Sequence, residues 1–450
     1  MKKKLLVLFP LISAMLLGGC SKSGGSSEPG FIDKDIKINI TQDDVKDLHV
    51  NIKLWSPITG PDSGYLQNLV TAWNASFGDN VKLTSDPLSE NSHYTRLITS
   101  MSDNSTADLV MIHRSRVAQF QRTGKMRDMT SILADADIKK ESYLSTFWDS
   151  NVFDDKVYAL TYDLLPTLIY YNKKLIPNGY SEEDIKNGNF TIEQMQSMMK
   201  EAYKDDPRPA KITYGLAFNY AYTKNPFLSF LYQQGGKPVD ASAPTVPTYN
   251  DEKGVTAATA LRDLPFVTNA SGKKVSSKSG TDHLNVFGQG RALFTIDGLW
   301  QSTNAIVHND RVDAGLAFLP KLNESIAART AYADSHCFTV FNTTTTSSAK
   351  DAAISLLLKY FVDNTAYWCR GGKAAVRSDV ASDETYKSLE WSFVSENLDK
   401  IQLPENVYTN NAITTPIAEY CSKLCEGTLT DVAAALNDAA QESKELAENQ

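Results

Sequence analysis

Two kinds of hydrophobic spacing alternate along this chain, and that alternation limits its fold more than any other feature. Val50-Asn51-Ile52-Lys53-Leu54 repeats with period two, as a strand does. Gly60, Pro61 and Gly64 break the run, and Leu66, Leu69, Val70, Trp73 and Phe77 follow at helical spacing. A second helical stretch, Tyr94 to Met101, leads to Asp108-Leu109-Val110-Met111-Ile112, whose length and branching suit a buried parallel strand. Leu168 to Tyr171, Tyr214 to Phe218 and Phe338 to Phe341 read as further strands, and Val286 to Ile296 as a short turn feeding another. Thr191 with Gln194 forms a capping box for a helix from Ile192 to Tyr203. Ser347 or Ser348 caps one from about Ala349 to Val362, with Ile354, Leu357, Leu358 and Phe361 on its apolar face. Strands separated by helices predict an α/β fold.

At 450 residues the chain holds two or three domains' worth of core. Its net charge of −8, with Lys2-Lys3-Lys4 as its one basic run, argues against a nucleic-acid partner, which needs clustered Lys and Arg. Those lysines precede the apolar run Leu5 to Leu17 and then Gly18-Gly19-Cys20, the pattern of an export signal too short to span a bilayer. Leu17-Gly18-Gly19-Cys20 also resembles a bacterial lipobox. The resemblance implies that residues 1–19 are removed as a lipoprotein signal peptide and that Cys20 carries the lipid anchor, palmitate among its acyl chains. The mature chain is then expected outside the cytoplasm, on the outer face of the bacterial cell membrane. Residues 20–44, opening with Ser21 to Gly30, are expected to be a flexible tether, and the folded part to start near residue 45. Cys421 and Cys425 read as buried free thiols on one helix face, while a Cys337–Cys369 bridge is left open.

The order of Ala107-Asp108-Leu109-Val110, Pro166 to Lys173, Phe287-Gly288-Gln289-Gly290-Arg291-Ala292-Leu293-Phe294 ending in Gly298-Leu299-Trp300, Leu319-Pro320, and Gly371 to Arg377 resembles the family 1 extracellular solute-binding proteins of ABC importers. That group includes maltose- and oligosaccharide-binding lipoproteins, and the resemblance spans roughly residues 48 to 445. It implies a two-lobed periplasmic-binding-protein-like fold with a ligand cleft between lobes joined by a hinge: residues 45–162 and 331–367 in one lobe, 163–330 and 368–450 in the other. It also implies a monomeric receptor that binds a carbohydrate and delivers it to permease subunits.

A sugar site needs rings for C–H faces and planar polar groups for hydroxyls. Trp300, after a strand and a glycine turn, is the leading stacking candidate; its alternative is a core aromatic. Asn219, Tyr220 and Tyr222 form an aromatic loop that lines the cleft or packs between helices. Tyr162 and Asp163 lie at the presumed first hinge. Asp62 and Glu90 are loop carboxylates, cleft acceptors or solvated surface groups, and Arg114 reaches the cleft or forms a structural ion pair. Asp297, Asp334 and Arg377 complete the set by resemblance. The six histidines show no metal spacing, Gly288-Gln289-Gly290 lacks a phosphate-loop ending, and no nucleophile elbow occurs, so no metal, cofactor or catalytic residue is expected. The alternative is an exported glycoside hydrolase, which would need two free acids ~5 to 9 Å apart.

Overall fold

The structure is a computed structural model that describes residues 33–205, 214–268, 274–275, 282–304, 307–342 and 346–450. In the first sheet Val50–Ser56 lies parallel between Val81–Pro87 and Leu109–His113; His336–Thr339 and then Leu160–Thr161 extend it by antiparallel pairing. The period of two puts Ile52 and Leu54 into a core with Leu66, Leu69, Val70, Trp73 and Phe77 of the helix Ser63–Phe77. The Trp73 indole N–H donates to Val81 O at 2.8 Å, fixing that helix to the sheet. Trp55, Val110 and Ile112 pack instead on Tyr94, Leu97 and Met101 of the helix Glu90–Asp103, so both faces of the sheet are covered.

The second sheet is built around Leu165–Asn172, which is buried along its whole length. Ala292–Gly298 and Val312–Ala317 flank it antiparallel, and Tyr214–Ala217 pairs parallel to Ala292–Gly298. A helix, His283–Gly288, precedes Ala292–Gly298 where the sequence suggested a turn. The capping box at Thr191 is present, with Gln194 Oε1 accepting from Thr191 N at 2.9 Å, and Ser347 caps Ser348–Asp363. Helices Asn410–Glu426 and Val432–Glu448 pack on each other and on Lys224–Gln233 and Glu252–Asp263 to close the second core.

Three stretches cross between the sheets. Residues 162–164 lead from Leu160–Thr161 to Leu165–Asn172, and Ser335 leads from Ala331–Asp334, paired with Leu165–Asn172, to His336–Thr339. Residues 370–374 follow the helix Thr365–Cys369, and Ala374 exchanges both backbone hydrogen bonds with Leu164 at 3.0 Å. The second crossing therefore lies at residue 335, four residues beyond the expected division at 331, because Ala331–Asp334 pairs within the second sheet. This is the two-lobed, hinged α/β architecture.

The chain is packed earlier than residue 45. Ile36 and Ile40 are buried in the first core, and Lys37 exchanges backbone hydrogen bonds of 2.7 and 2.9 Å with the side chain of Asn364. The proposed tether thus ends before Ile36. Cys337, Cys369, Cys421 and Cys425 are all free and buried, so the Cys337–Cys369 bridge is absent. No helix among the described residues is long and apolar enough to cross a membrane. The polar stretch 269–281, apart from 274–275, lies outside the described residues, as does Cys20.

Candidate functional site

The parallel strands end at Ser56, Pro87 and His113 in the first lobe and at Ala217 and Gly298 in the second. The chain turns after those ends carry Asp62, Glu90 and Arg114 on one side and Asn219, Tyr222 and Trp300 on the other. Carboxyl ends of parallel strands are where α/β proteins hold ligands, since the loops there are freed from sheet pairing.

Trp300 stands on the short turn Leu299–Thr303, with its indole against Gly298: a Cβ there would lie 2.0 Å from the ring. Tyr222 meets the indole edge-on, with centroids 6.0 Å apart and planes at 88°. The Tyr222 hydroxyl is bracketed by Thr167 Oγ1 at 3.1 Å and by Asn225 Nδ2, which donates to it at 2.9 Å. Both residues are half-buried. Burial and then the Asp297 charge push the Tyr222 phenol up, the Thr167 and Asn225 hydrogen bonds oppose this, and Glu90 of the first lobe adds to the rise. Glu90, at the start of the helix Glu90–Asp103 in the first lobe, is exposed. Asn219 is half-buried, and its Oδ1 accepts from Ala221 N at 3.0 Å, shaping the loop.

The other candidates are engaged by the protein itself. Asp297 accepts from His283 Nε2 at 2.8 Å and from Gly298 N at 2.7 Å. Half-exposed Asp334 accepts from the backbone N–H groups of Ser115 and Ser335 at 3.1 and 2.8 Å. Asp62, only 5% exposed, pairs with Lys373. Arg114 is buried, which lowers its pKa, and donates to Pro404 O, with no ion pair among the described residues. Tyr162 lies in the first core, stacked on Trp368 at 5.5 Å with its hydroxyl donating to Phe361 O at 3.1 Å. Tyr220 packs in the second core against Phe218 at 5.9 Å. Arg377 grips Asp379 with two hydrogen bonds, of 3.0 and 2.6 Å.

Asp163 is fully buried at the first crossing and ties it to His336, just after the second, and to Trp368, just before the third. It accepts from His336 N at 2.7 Å, from His336 Nδ1 at 2.8 Å and from Trp368 Nε1 at 2.8 Å. Burial alone would raise its carboxyl pKa, but His336 beside it, together with Lys373, holds it below the usual carboxylate range. His336 lies 5.2 Å from His113, whose Nδ1 is 2.8 Å from the Tyr94 hydroxyl. Sequence reasoning missed His113, His336, Thr167, Asn225 and Lys373. Lys373 had a signal: it is the one charged residue in Gly371-Gly372-Lys373-Ala374-Ala375-Val376, a run otherwise suited to burial. A separate open groove of about 800 Å³ is lined by Asn51, Lys53 and Trp55 of the first sheet and by Arg96 of the helix Glu90–Asp103; there Arg96 pairs with Asp86 at 2.7 Å and Lys350 with Asp108 at 2.6 Å.

Residues 58–332 match the model of a family described as bacterial extracellular solute-binding protein. No curated protein matches the chain by sequence. Among solved structures, the GacH receptor of Streptomyces glaucescens, known unliganded and with acarbose, is 16% identical with a TM-score of 0.72, over 89% of this chain and 98% of that one. Maltose-bound MalE3 of T. maritima is 18% identical with a TM-score of 0.71, over 88% and 99%. The maltodextrin-binding domain from Bdellovibrio bacteriovorus, bound to maltotriose, is 18% identical with a TM-score of 0.68, over 89% and 99%. These likenesses establish the two-lobed fold, and the match over residues 58–332 establishes that the chain belongs to the bacterial extracellular solute-binding protein family.

Proposed function

We propose that the protein is the solute-binding component of an ABC importer, held to the outer face of the cell membrane by a lipid on Cys20. It binds a neutral oligosaccharide between its lobes as a monomer and delivers it to the permease. The observation that carries this reading is the right-angled Trp300–Tyr222 corner on the turns that follow the carboxyl ends of Ala292–Gly298 and Tyr214–Ala217. A pyranose has a C–H face that lies on an aromatic ring and a rim of hydroxyls that donate to a carboxylate or amide. Retention rather than hydrolysis is supported by the neighbouring acids, since Asp297, Asp163 and Asp62 are tied to His283, His336 and Lys373. Similar structures bound to acarbose, maltose and maltotriose make those compounds the first ligands to try. A thermal-shift screen over such a panel tests the reading, because a ligand at about 100 times its Kd adds ~2.7 kcal/mol to stability. A panel with no stabilising member would overturn it, and released product would favour a hydrolase.

A further inference from the structure

A lysine with no exposed surface sits in the third crossing, touching the parts of the molecule that a closing cleft must keep in register. Lys373 Nζ is in direct contact with Asp62 Oδ2, in the loop after the first strand of the first lobe. The same ammonium lies 5.3 Å from the Trp368 ring, whose N–H binds Asp163 at 2.8 Å. The preceding residue, Gly372, has φ +75°, and a Cβ there would fall 2.6 Å from Leu299 O and 3.0 Å from Trp300 Cα. On the other side Ala374 pairs with Leu164 of the first crossing, and the Lys373 carbonyl accepts from the Trp391 indole at 2.9 Å. Three residues thus join a loop of the first lobe, the Trp300 turn of the second and the hinge. Desolvation largely offsets the attraction within a buried ion pair, so such a pair contributes little net stability, and its presence here calls for another role.

We propose that Lys373 is a positioning residue for solute binding, one that fixes the Asp62 carboxylate at the cleft and couples it through Gly372 to the Trp300 turn. The acidic and aromatic sides of the site then move as one unit when the hinge bends. This rests on the oligosaccharide reading above for its ligand, but not for its geometry.

The test is a double-mutant cycle in the full mature chain, with Lys373→Met, Asp62→Asn and the pair. Calorimetry with maltotriose supplies affinity, and ¹⁹F NMR of 5-fluorotryptophan protein without sugar supplies the state of Trp300, assigned with Trp300→Phe. Each single variant should weaken maltotriose binding about tenfold, and the double variant should be no weaker than either single, because coupled neighbours are not additive. Both singles should move the Trp300 signal in the absence of sugar. Additive losses in the double variant, or unchanged affinity with only an earlier melt, would assign Lys373 a purely structural role. If the wild-type protein does not take up maltotriose, the oligosaccharide reading fails for that probe, and the NMR arm still decides: an unmoved Trp300 signal overturns the coupling. If Lys373→Met does not fold, Asp62→Asn carries both measurements alone.

Discussion

Replacing Asp163 by alanine leaves three donors without an acceptor in a fully buried site: His336 N, His336 Nδ1 and Trp368 Nε1. Each buried donor left unsatisfied costs about 1–3 kcal/mol, so losing the acceptor of all three costs about 3–5 kcal/mol or more. A domain of lobe size loses roughly 2–4 °C per kcal/mol, so calorimetry of the unliganded Asp163→Ala protein should show a melt about 10 °C lower. Asp163→Asn keeps one acceptor oxygen and should fall between the two. The sign of the pH dependence follows from the carboxyl being held below its ordinary value, with burial opposing and His336 and Lys373 prevailing. Its stabilisation is full above the unfolded carboxyl pKa of ~3.9 and is lost as pH falls through the lower folded value. The gap between wild type and Asp163→Ala should therefore be widest above pH ~4 and close below it. A loss under about 1 kcal/mol, or a gap that ignores pH, would refute Asp163 as the residue that locks the crossings.

Trp300→Ala should weaken oligosaccharide binding about thirtyfold, since ~80 Å² of stacked surface at 25 cal/mol per Å² contributes ~2 kcal/mol. The half-buried indole should leave the unliganded melt nearly unchanged; normal affinity with a much earlier melt would make it a core residue. Gly372→Ala forces a side chain onto a backbone at φ +75° and against Leu299 O at 2.6 Å, so it should cost about 1–3 kcal/mol of stability and also reduce affinity, read by melting and calorimetry on one sample. Cys20→Ala should leave the precursor unprocessed or release the protein from membranes on fractionation, whereas unchanged processing and acylation would dismiss the lipobox.

The strands and helices were legible where periodicity is long and regular, as in Ile52 and Leu54 against Leu66 to Phe77, because burial of one face leaves a local mark. The turn chemistry of Thr191 and Ser347 was legible for the same reason. The second crossing was not, since Ala331–Asp334 and His336–Thr339 are short strands one residue apart that part to different sheets at Ser335, with no breaker residue between them. Nor was the docked segment at Ile36 and Ile40, whose partner Asn364 is more than 300 residues away. In the site, sequence order brought Trp300 and Tyr222 forward, but chemistry alone could not separate a carboxylate that is open, such as Glu90, from ones already satisfied by His283, His336 or Lys373. That difference is made by long-range partners, and a lone charge in a small apolar run was its one local trace.

The four unpaired thiols make the molecule its own stopwatch. Burial pushes Cys337 and Cys425 up to about 12, and Cys369 and Cys421 also rise well above the ordinary thiol value. With a pKa near 12, only about one thiol in 10⁵ is ionised at pH 7, so alkylation must wait until the surrounding structure opens. Cys337 reports on the first sheet, Cys369 on the hinge, and Cys421 with Cys425 on the helix that closes the second core. Mass-resolved labelling would then time each region's opening separately in one unmodified chain, and a bound solute that draws the lobes together should slow the Cys369 reading most.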